Sequence, residues 1–374
     1  MKIGGMCILV WMMTTFCHAQ SQLLHEQAVL EKILSLQVGE DLFYDSGMFQ
    51  SKRYWFNHLD PVDDNNVFFT ASIAFILRTI RERRDPYDSV IISIINKANS
   101  NYHKYASRNG EATYNFWQTI GDDLPFPNGS IFLTTKKNRM PDDYGVTAMV
   151  ELAKNDKNSA DLVRKKMISY ASRKDRKQVE NTLDQYREYN AYEVWFADKM
   201  NQEYDVVVMS NVLSFVFRGQ YELNQADRET IHLIQRIVND NTHFTEPETV
   251  SPYYRTTPWI LYHLARLLAD DFNNVMGDIR PKIIQDIGFS LEQTSSQMEK
   301  LLLYTSLYRL GLEPDPNISM EGLQKEINSF IFFQNKPTQL FGTLPVMKWK
   351  SEAFNWTLVL EFLSFSQLSS ELSE

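Results

Sequence analysis

Adjacent carboxylates are the residues of this sequence best suited to acid–base chemistry. Asp142 and Asp143 stand in tandem between Pro141 and an apolar segment. Two neighbouring carboxylates repel each other, and burial of such a pair raises one pKa enough to make an acid near neutral pH. An aspartate here also caps a helix and opposes its dipole, which is the purely structural alternative. We predict Asp142 and Asp143 as acid/base residues, and Thr147, a turn beyond, as a ligand-binding residue.

A second acidic pair, Asp122 and Asp123, precedes a loop shaped by proline and glycine at residues 124–130. The loop predicts a ligand-binding role for both residues if it lines a cavity mouth, and a solvated turn if it does not. Paired with Asp142 and Asp143 at about 5–9.5 Å, these carboxylates would suit cleavage of a glycosidic bond.

Aromatic rings and polar groups on apolar segments are the remaining candidates. Rings offer stacking platforms for a sugar or apolar walls for an isoprenoid, with core packing as the alternative. A buried asparagine on an apolar helix needs hydrogen-bond partners, which makes it a cavity-facing candidate. The predicted ligand-binding residues of this group are Trp195, Asp198, Asp205, Asn211, Tyr253, Tyr254 and Trp259.

Metal and cofactor chemistry has no support in the sequence. No histidine pair has the spacing of a metal-binding helix, and no Gly-rich phosphate loop, nucleophile elbow or dinucleotide fingerprint occurs. Both cysteines, Cys7 and Cys17, lie within the first nineteen residues. We therefore predict no metal and no cofactor.

The N-terminus has the layout of a secretory signal peptide. Lys2 is followed by an apolar stretch over residues 3–16, and then by Cys17-His18-Ala19, with small residues at the −3 and −1 positions of a cleavage site. A lipid anchor on Cys17 and a buried first helix are the alternatives. We predict cleavage near Ala19, export to the periplasm or the extracellular space, and a single domain over residues 20–374.

Charge and hydropathy exclude several partners. The formal net charge is −9, which disfavours nucleic acid. Hydrophobic content of 43% with 13% aromatic residues excludes disorder. No later segment is long and apolar enough to cross a bilayer, so we predict no stable membrane insertion after cleavage. A small molecule, glycan or lipid remains as the predicted partner, and the oligomeric state is left open.

One pattern recurs along the chain: a polar or acidic turn followed by an apolar helix of three to four turns. The predicted apolar helices cover residues 67–80, 146–153, 206–217, 259–269, 295–310 and 355–365. More polar, amphipathic helices are predicted between them, as at 159–172 and 227–238. This alternation predicts an all-α protein of about five to six helical hairpins, with an inner and an outer ring of helices. Strand signals are few, and one short extended piece is predicted at residues 130–135.

The same segments resemble the α/α-toroid superfamily, which includes terpene cyclases and protein prenyltransferase β subunits. The matching pieces are FFTA (68–71), PNGS (127–130), PDDYGVTA (141–148), YDVVVMSNVL (204–213) and SPYY (251–254). The resemblance implies inner helices around a central cavity, with their N-terminal turns at one rim. It implies function far less, because one fold hosts many functions.

Two departures limit the functional implications. Class II cyclases use an Asp-x-Asp-Asp segment, whereas this chain has Gly145 where a further acid would stand. Prenyltransferases bind zinc through a cysteine, which the cleaved chain lacks. Three functions remain as hypotheses: an exported toroid that binds a ligand in its cavity, a carbohydrate-active hydrolase or lyase, and a terpene-cyclase-like enzyme with a degenerate acidic motif. Enzymatic activity is left open.

Overall fold

The computed structural model describes residues 26–54, 60–83, 88–120, 140–173, 178–179, 182–197, 202–335 and 347–372. The α-helices are α1 (Glu26–Leu36), α2 (Val67–Arg83), α3 (Asp88–Asn99), α4 (Tyr144–Lys154), α5 (Lys157–Ala171), α6 (Val206–Arg218), α7 (Gln225–Asn239), α8 (Thr242–Thr245), α9 (Pro247–Val250), α10 (Thr257–Asp270), α11 (Arg280–Gln293), α12 (Gln297–Arg309), α13 (Met320–Ile327) and α14 (Glu352–Leu372). The strands are β1 (Ser51–Tyr54), β2 (Val62–Asp64), β3 (Asp142–Asp143), β4 (Trp195–Phe196), β5 (Phe333–Asn335) and β6 (Met347–Lys350).

Burial separates the longer helices into two groups. Every residue of α4 from 144 to 153 is buried, and so is every residue of α6 from 206 to 217. In α5, by contrast, only Val163, Arg164 and Met167 are buried. An all-round apolar helix must be enclosed by other elements, whereas a helix with one narrow apolar stripe covers the outside of the protein.

Six apolar helices, which we call the central helices, pack in a closed cycle. Along the chain α2 contacts α4, α4 contacts α6, α6 contacts α10, α10 contacts α12 and α12 contacts α14, and α14 returns to contact α2. Each central helix also contacts one more exposed helix, which we call its peripheral helix: α14 contacts α1, α2 contacts α3, α4 contacts α5, α6 contacts α7, α10 contacts α11 and α12 contacts α13. Central and peripheral helices therefore alternate along the chain.

Neighbouring central helices begin on the same side of the molecule. A side chain on Gly145, at the start of α4, would lie 3.4 Å from Val208 in the first turn of α6. The backbone N–H of Tyr253, just before α10, donates to Asp205, which caps α6. The side with the N-terminal turns collects unpaired N–H groups and the positive ends of helix dipoles, which favours carboxylates there.

Two small antiparallel sheets lie at this side. One has the strand order β2-β1-β6-β5, and the other pairs β3 with β4. The larger sheet is joined to the helices through Asp64, which is fully buried and accepts hydrogen bonds from Arg53 at 2.6 Å, from the indole of Trp117 at 3.1 Å and from that of Trp349 at 3.2 Å.

An aromatic cluster fills the space between the N-terminal halves of α2, α10 and α14. The ring of Phe332 lies 4.3 Å from Phe354 and 4.5 Å from Trp259, centroid to centroid. Phe68 and Tyr254 complete the cluster from α2 and the turn before α10. All five side chains are at most 4% exposed. This part of the interior is therefore packed with side chains.

The prediction of an all-α class is confirmed, because the described chain is mostly helical with few strands. Each predicted apolar segment overlaps one of the central helices. Both sheets were missed, and the predicted strand at 130–135 lies outside the described residues. Within the described chain, no helix has the length and hydropathy needed to span a bilayer.

Candidate functional site

Asp143 is the N-cap of α4. Its Oδ1 accepts a hydrogen bond from the Val146 N–H at 2.7 Å, and its own backbone N–H donates to the Tyr114 carbonyl at 3.0 Å. The side chain is 9% exposed. Among the described residues, Oδ2 accepts no hydrogen bond. Asp143 therefore uses one carboxyl oxygen as a cap, and no described residue donates a hydrogen bond of good geometry to the other.

The environment of Asp143 favours its protonated form. Burial raises the pKa from its ordinary value of 3.8 to about 7, against the backbone N–H groups of Val146 and Gly145, which lower it. The charges of Asp205 and Asp142 raise it further. A carboxyl group with a pKa near neutrality can both give up and accept a proton at physiological pH.

Two aromatic rings lie near Asp143, and both of them also interact with a second carboxyl group, that of Glu203. Strand β4 places Trp195 directly opposite Asp143 in the β3–β4 pair. The ring of Tyr253 packs edge-to-face on Trp195 at 6.0 Å. The Tyr253 hydroxyl donates to Glu203 Oε2 at 2.5 Å. Burial raises the pKa of Glu203, while hydrogen bonds from Tyr253 and Trp195 lower it.

We call Asp143, Trp195, Glu203 and Tyr253 the acidic rim. The indole N–H of Trp195 is buried and has no partner of good hydrogen-bond geometry within the described chain, although it faces the Glu203 carboxylate. Three of these residues were predicted from the sequence. Glu203 was missed, and the only sequence signal was an acid two positions before the Asp205 cap.

Asp205 is a helix cap whose two oxygens both accept hydrogen bonds. Its Oδ1 accepts from the N–H groups of Val207 at 2.9 Å and Val208 at 3.1 Å, and from the Ser251 hydroxyl at 2.9 Å. Its Oδ2 accepts from the Tyr253 N–H at 2.9 Å. Burial raises its pKa to about 6, although all four donors lower it. The arrangement ties the start of α10 to the start of α6.

Asp142 and Thr147 hold a loop segment at residues 113–115, between α3 and α4 along the chain. The half-buried Asp142 accepts from the Thr113 hydroxyl at 2.6 Å and from the Asn115 amide at 3.4 Å. Thr147 is fully buried and accepts from the Tyr114 N–H at 3.0 Å. Thr147 therefore faces this loop rather than the acidic rim.

The other predicted residues lie elsewhere. Tyr254 and Trp259 belong to the aromatic cluster, and Asn211 is fully buried in α6, where it contacts Arg266. Asp122, Asp123 and Asp198 lie outside the described residues.

A mixed-charge pocket opens beside the aromatic cluster. It has a volume of about 360 Å³ and lies between the starts of α10 and α12 and the loop before β5. Trp259, Arg255, Glu299 and Lys348 contribute to its walls. In the parts of the chain that the structure describes, no group of three or more histidine, cysteine or acidic side chains is arranged to hold a metal ion.

Comparison of the sequence with models of protein families gave no match. Comparison with curated proteins found no similar sequence.

Proposed function

We propose that this chain is an α/α toroid that binds a hydroxyl-rich small molecule, of the glycan class, at the acidic rim. The closed cycle of central helices, each covered by a peripheral helix, supports the architecture. We further propose that the protein is exported after removal of residues 1–19, as the layout of its N-terminus indicates.

The free Oδ2 of Asp143 beside the paired rings of Trp195 and Tyr253 carries the functional proposal. A sugar presents apolar C–H faces that stack on aromatic rings and hydroxyl groups that hydrogen-bond to carboxyl groups. The indole N–H of Trp195, which faces Glu203 without good hydrogen-bond geometry, adds a donor on the strand that pairs with Asp143. The interior that an isoprenoid would need is occupied by the aromatic cluster, which is why a glycan is preferred to a lipid.

A second candidate function is hydrolysis or lyase cleavage of the bound glycan. The observation that favours it is the raised pKa of two carboxyl groups that both lie near Trp195 and Tyr253, with Asp143 at about 7 and Glu203 above its ordinary value. One group in the acid form and one in the base form is the arrangement that glycosidic cleavage requires. Asp143 would donate the proton, and Glu203 would act as the base.

A ligand screen by thermal shift tests the binding proposal on residues 20–374. The probes are oligosaccharides of glucose, xylose, N-acetylglucosamine and galacturonic acid, with a long-chain isoprenol as the apolar competitor. The variant Asp143→Asn keeps an oxygen for the helix cap but loses the carboxyl group. The matched control is Asp156→Asn, because Asp156 is an exposed N-cap that accepts from the Asn158 N–H at 3.1 Å.

We expect an oligosaccharide to raise the melting temperature of the wild type and of Asp156→Asn, but not that of Asp143→Asn. Equal responses from all three proteins would show that the ligand does not bind at Asp143. A response to the isoprenol alone, or to none of the probes, would overturn the glycan proposal. An assay for reducing ends released from the oligosaccharide that binds distinguishes cleavage from binding alone. If the protein cleaves the glycan, the wild type releases reducing ends and Asp143→Asn does not.

A further inference from the structure

The mixed-charge pocket between the starts of α10 and α12 has the size and the aromatic wall of a small-molecule site. Its volume is about 360 Å³, within the range of about 300–1,000 Å³ that is common for ligand pockets. Trp259, Phe330 and Phe332 line it together. The Trp259 ring lies 5.5 Å from the Phe330 ring and 4.5 Å from the Phe332 ring, centroid to centroid. Phe330 is only half-buried, so its ring is open to the flat side chain of a ligand.

Two half-buried side chains of opposite charge line this pocket without a counter-ion. Lys348 of β6 forms no ion pair with any described carboxylate. Glu299, in the first turn of α12, accepts a hydrogen bond from the Thr294 hydroxyl at 2.5 Å, and no described basic side chain pairs with it. Lys348 and Glu299 do not pair with each other either. The pocket therefore has one unpaired positive and one unpaired negative group in its walls.

The other two charged side chains in the walls already have partners. Arg255 is 9% exposed and forms an ion pair with Glu248. Glu326 accepts from the Ser296 hydroxyl at 2.6 Å and from the first two N–H groups of α12 at 3.1 Å each. These pairs leave Lys348 and Glu299 as the charged groups of the pocket that a ligand can neutralise.

We propose that the mixed-charge pocket binds a free aromatic α-amino acid. The ligand carboxylate pairs with Lys348, its ammonium group pairs with Glu299, and its ring packs on Trp259 and Phe330. A zwitterion neutralises both unpaired groups, whereas a plain anion or a plain cation leaves one of them without a partner. The pocket shares no residue with the acidic rim, so this proposal goes beyond glycan binding and does not depend on it.

Isothermal titration calorimetry on residues 20–374 tests the proposal with L-phenylalanine and three analogues. Of these, 3-phenylpropionate lacks the ammonium group, phenethylamine lacks the carboxylate, and L-alanine lacks the ring. We expect phenylalanine to bind at least about tenfold more tightly than each analogue, because each analogue loses one charge-assisted contact or the contact with the rings. Absence of phenylalanine binding, or equally tight binding of any analogue, would overturn the proposal.

Two variants assign the charged contacts. Lys348→Met should weaken phenylalanine binding at least about tenfold and leave phenethylamine binding unchanged, because phenethylamine has no carboxylate. Glu299→Gln keeps an acceptor for the Thr294 hydroxyl. It should weaken phenylalanine binding by a similar factor and leave the binding of 3-phenylpropionate unchanged. A purely structural effect would weaken every probe alike, and that result, or no weakening at all, would overturn the assignment.

Exposed residues of the same types provide the matched controls. Lys165 is exposed on α5 and Glu292 is exposed on α11. Lys165→Met and Glu292→Gln should therefore bind phenylalanine as the wild type does. A loss of binding in either control equal to that in the pocket variants would show that long-range charge, rather than contact in the pocket, governs the affinity, and it would overturn the proposal.

A crystal structure of the wild type with phenylalanine covers the case in which a pocket variant does not fold. The ligand should lie between Lys348 and Glu299, and phenylalanine bound anywhere else would overturn the proposal. Asp143→Asn should bind phenylalanine as the wild type does, and Lys348→Met should keep the wild-type response to oligosaccharides. Failure of the acidic-rim proposal and failure of this one are therefore distinguishable.

Discussion

Replacing Asp143 by asparagine should change how stability depends on pH. The pKa of Asp143 is raised from its ordinary value of 3.8, which we take for the unfolded chain, to about 7 in the folded protein. Below about pH 4 the carboxyl group is protonated in both the folded and the unfolded chain, so its titration does not change the free energy of unfolding. As the pH rises to 7, the unfolded chain releases the proton and the folded chain retains it, so the free energy of unfolding falls.

The size of the effect follows from the shift. A difference of about 3 pKa units at about 1.36 kcal/mol per unit corresponds to about 4 kcal/mol, fully developed above pH 7. Asparagine retains the acceptor for the Val146 N–H and carries no charge. We therefore expect Asp143→Asn to match the wild type near pH 4 and to exceed its stability by about 4 kcal/mol at pH 8, or about 5 °C in melting temperature.

Urea unfolding of both proteins between pH 4 and pH 9, followed by circular dichroism, measures this difference. Asp156→Asn is the control. Because Asp156 is exposed, the free energy of unfolding of this variant should vary with pH in parallel with that of the wild type. Parallel curves for Asp143→Asn and the wild type across the whole range would refute the reasoning, since Asp143 would then be ionised throughout.

Two further predictions concern structural carboxylates and are measured by urea unfolding at pH 7. Asp205→Ala removes the acceptor of three backbone N–H groups and one hydroxyl, and it should cost about 3 kcal/mol or more, whereas Asp156→Ala at an exposed cap should cost about 1 kcal/mol. Equal costs would show that water replaces the lost partner. Asp227 binds the buried Arg164 with both carboxyl oxygens, so Asp227→Ala leaves that guanidinium without its counter-ion and should lower the free energy of unfolding by about 3–5 kcal/mol. The double variant Asp227→Ala/Arg164→Met should lose less stability than the sum of the two single variants. Additive costs would mean that the pair is not coupled.

The helices could be predicted because their signals are local. A polar turn followed by an apolar run specifies both the start of a helix and its burial, and the residues predicted to begin α4 and α6, Asp143 and Asp205, are their N-caps. Hydrogen bonds from a side chain to the next turn depend on two or three neighbouring residues, so the sequence contains all the information that they need.

The sheets and the contacts of the acidic rim could not be predicted because they join distant parts of the chain. Trp349 donates to Asp64 across 285 positions, and Tyr253 donates to Glu203 across 50. Strands of two to four residues are too short to show an alternating pattern.

Asp143 and Asp205 show why a helix cap alone does not identify a site. Both residues begin a central helix, both are buried, and both have a raised pKa. The difference lies in their second oxygen. Both oxygens of Asp205 accept hydrogen bonds, from the first turn of α6 and from the turn before α10, whereas no described residue donates to Oδ2 of Asp143. A carboxyl group that is retained in a buried position with one oxygen unused lowers stability at neutral pH, and a ligand that donates to that oxygen would recover the loss. The unused oxygen, rather than the acidic pair in the sequence, is therefore the reason to place the site at Asp143.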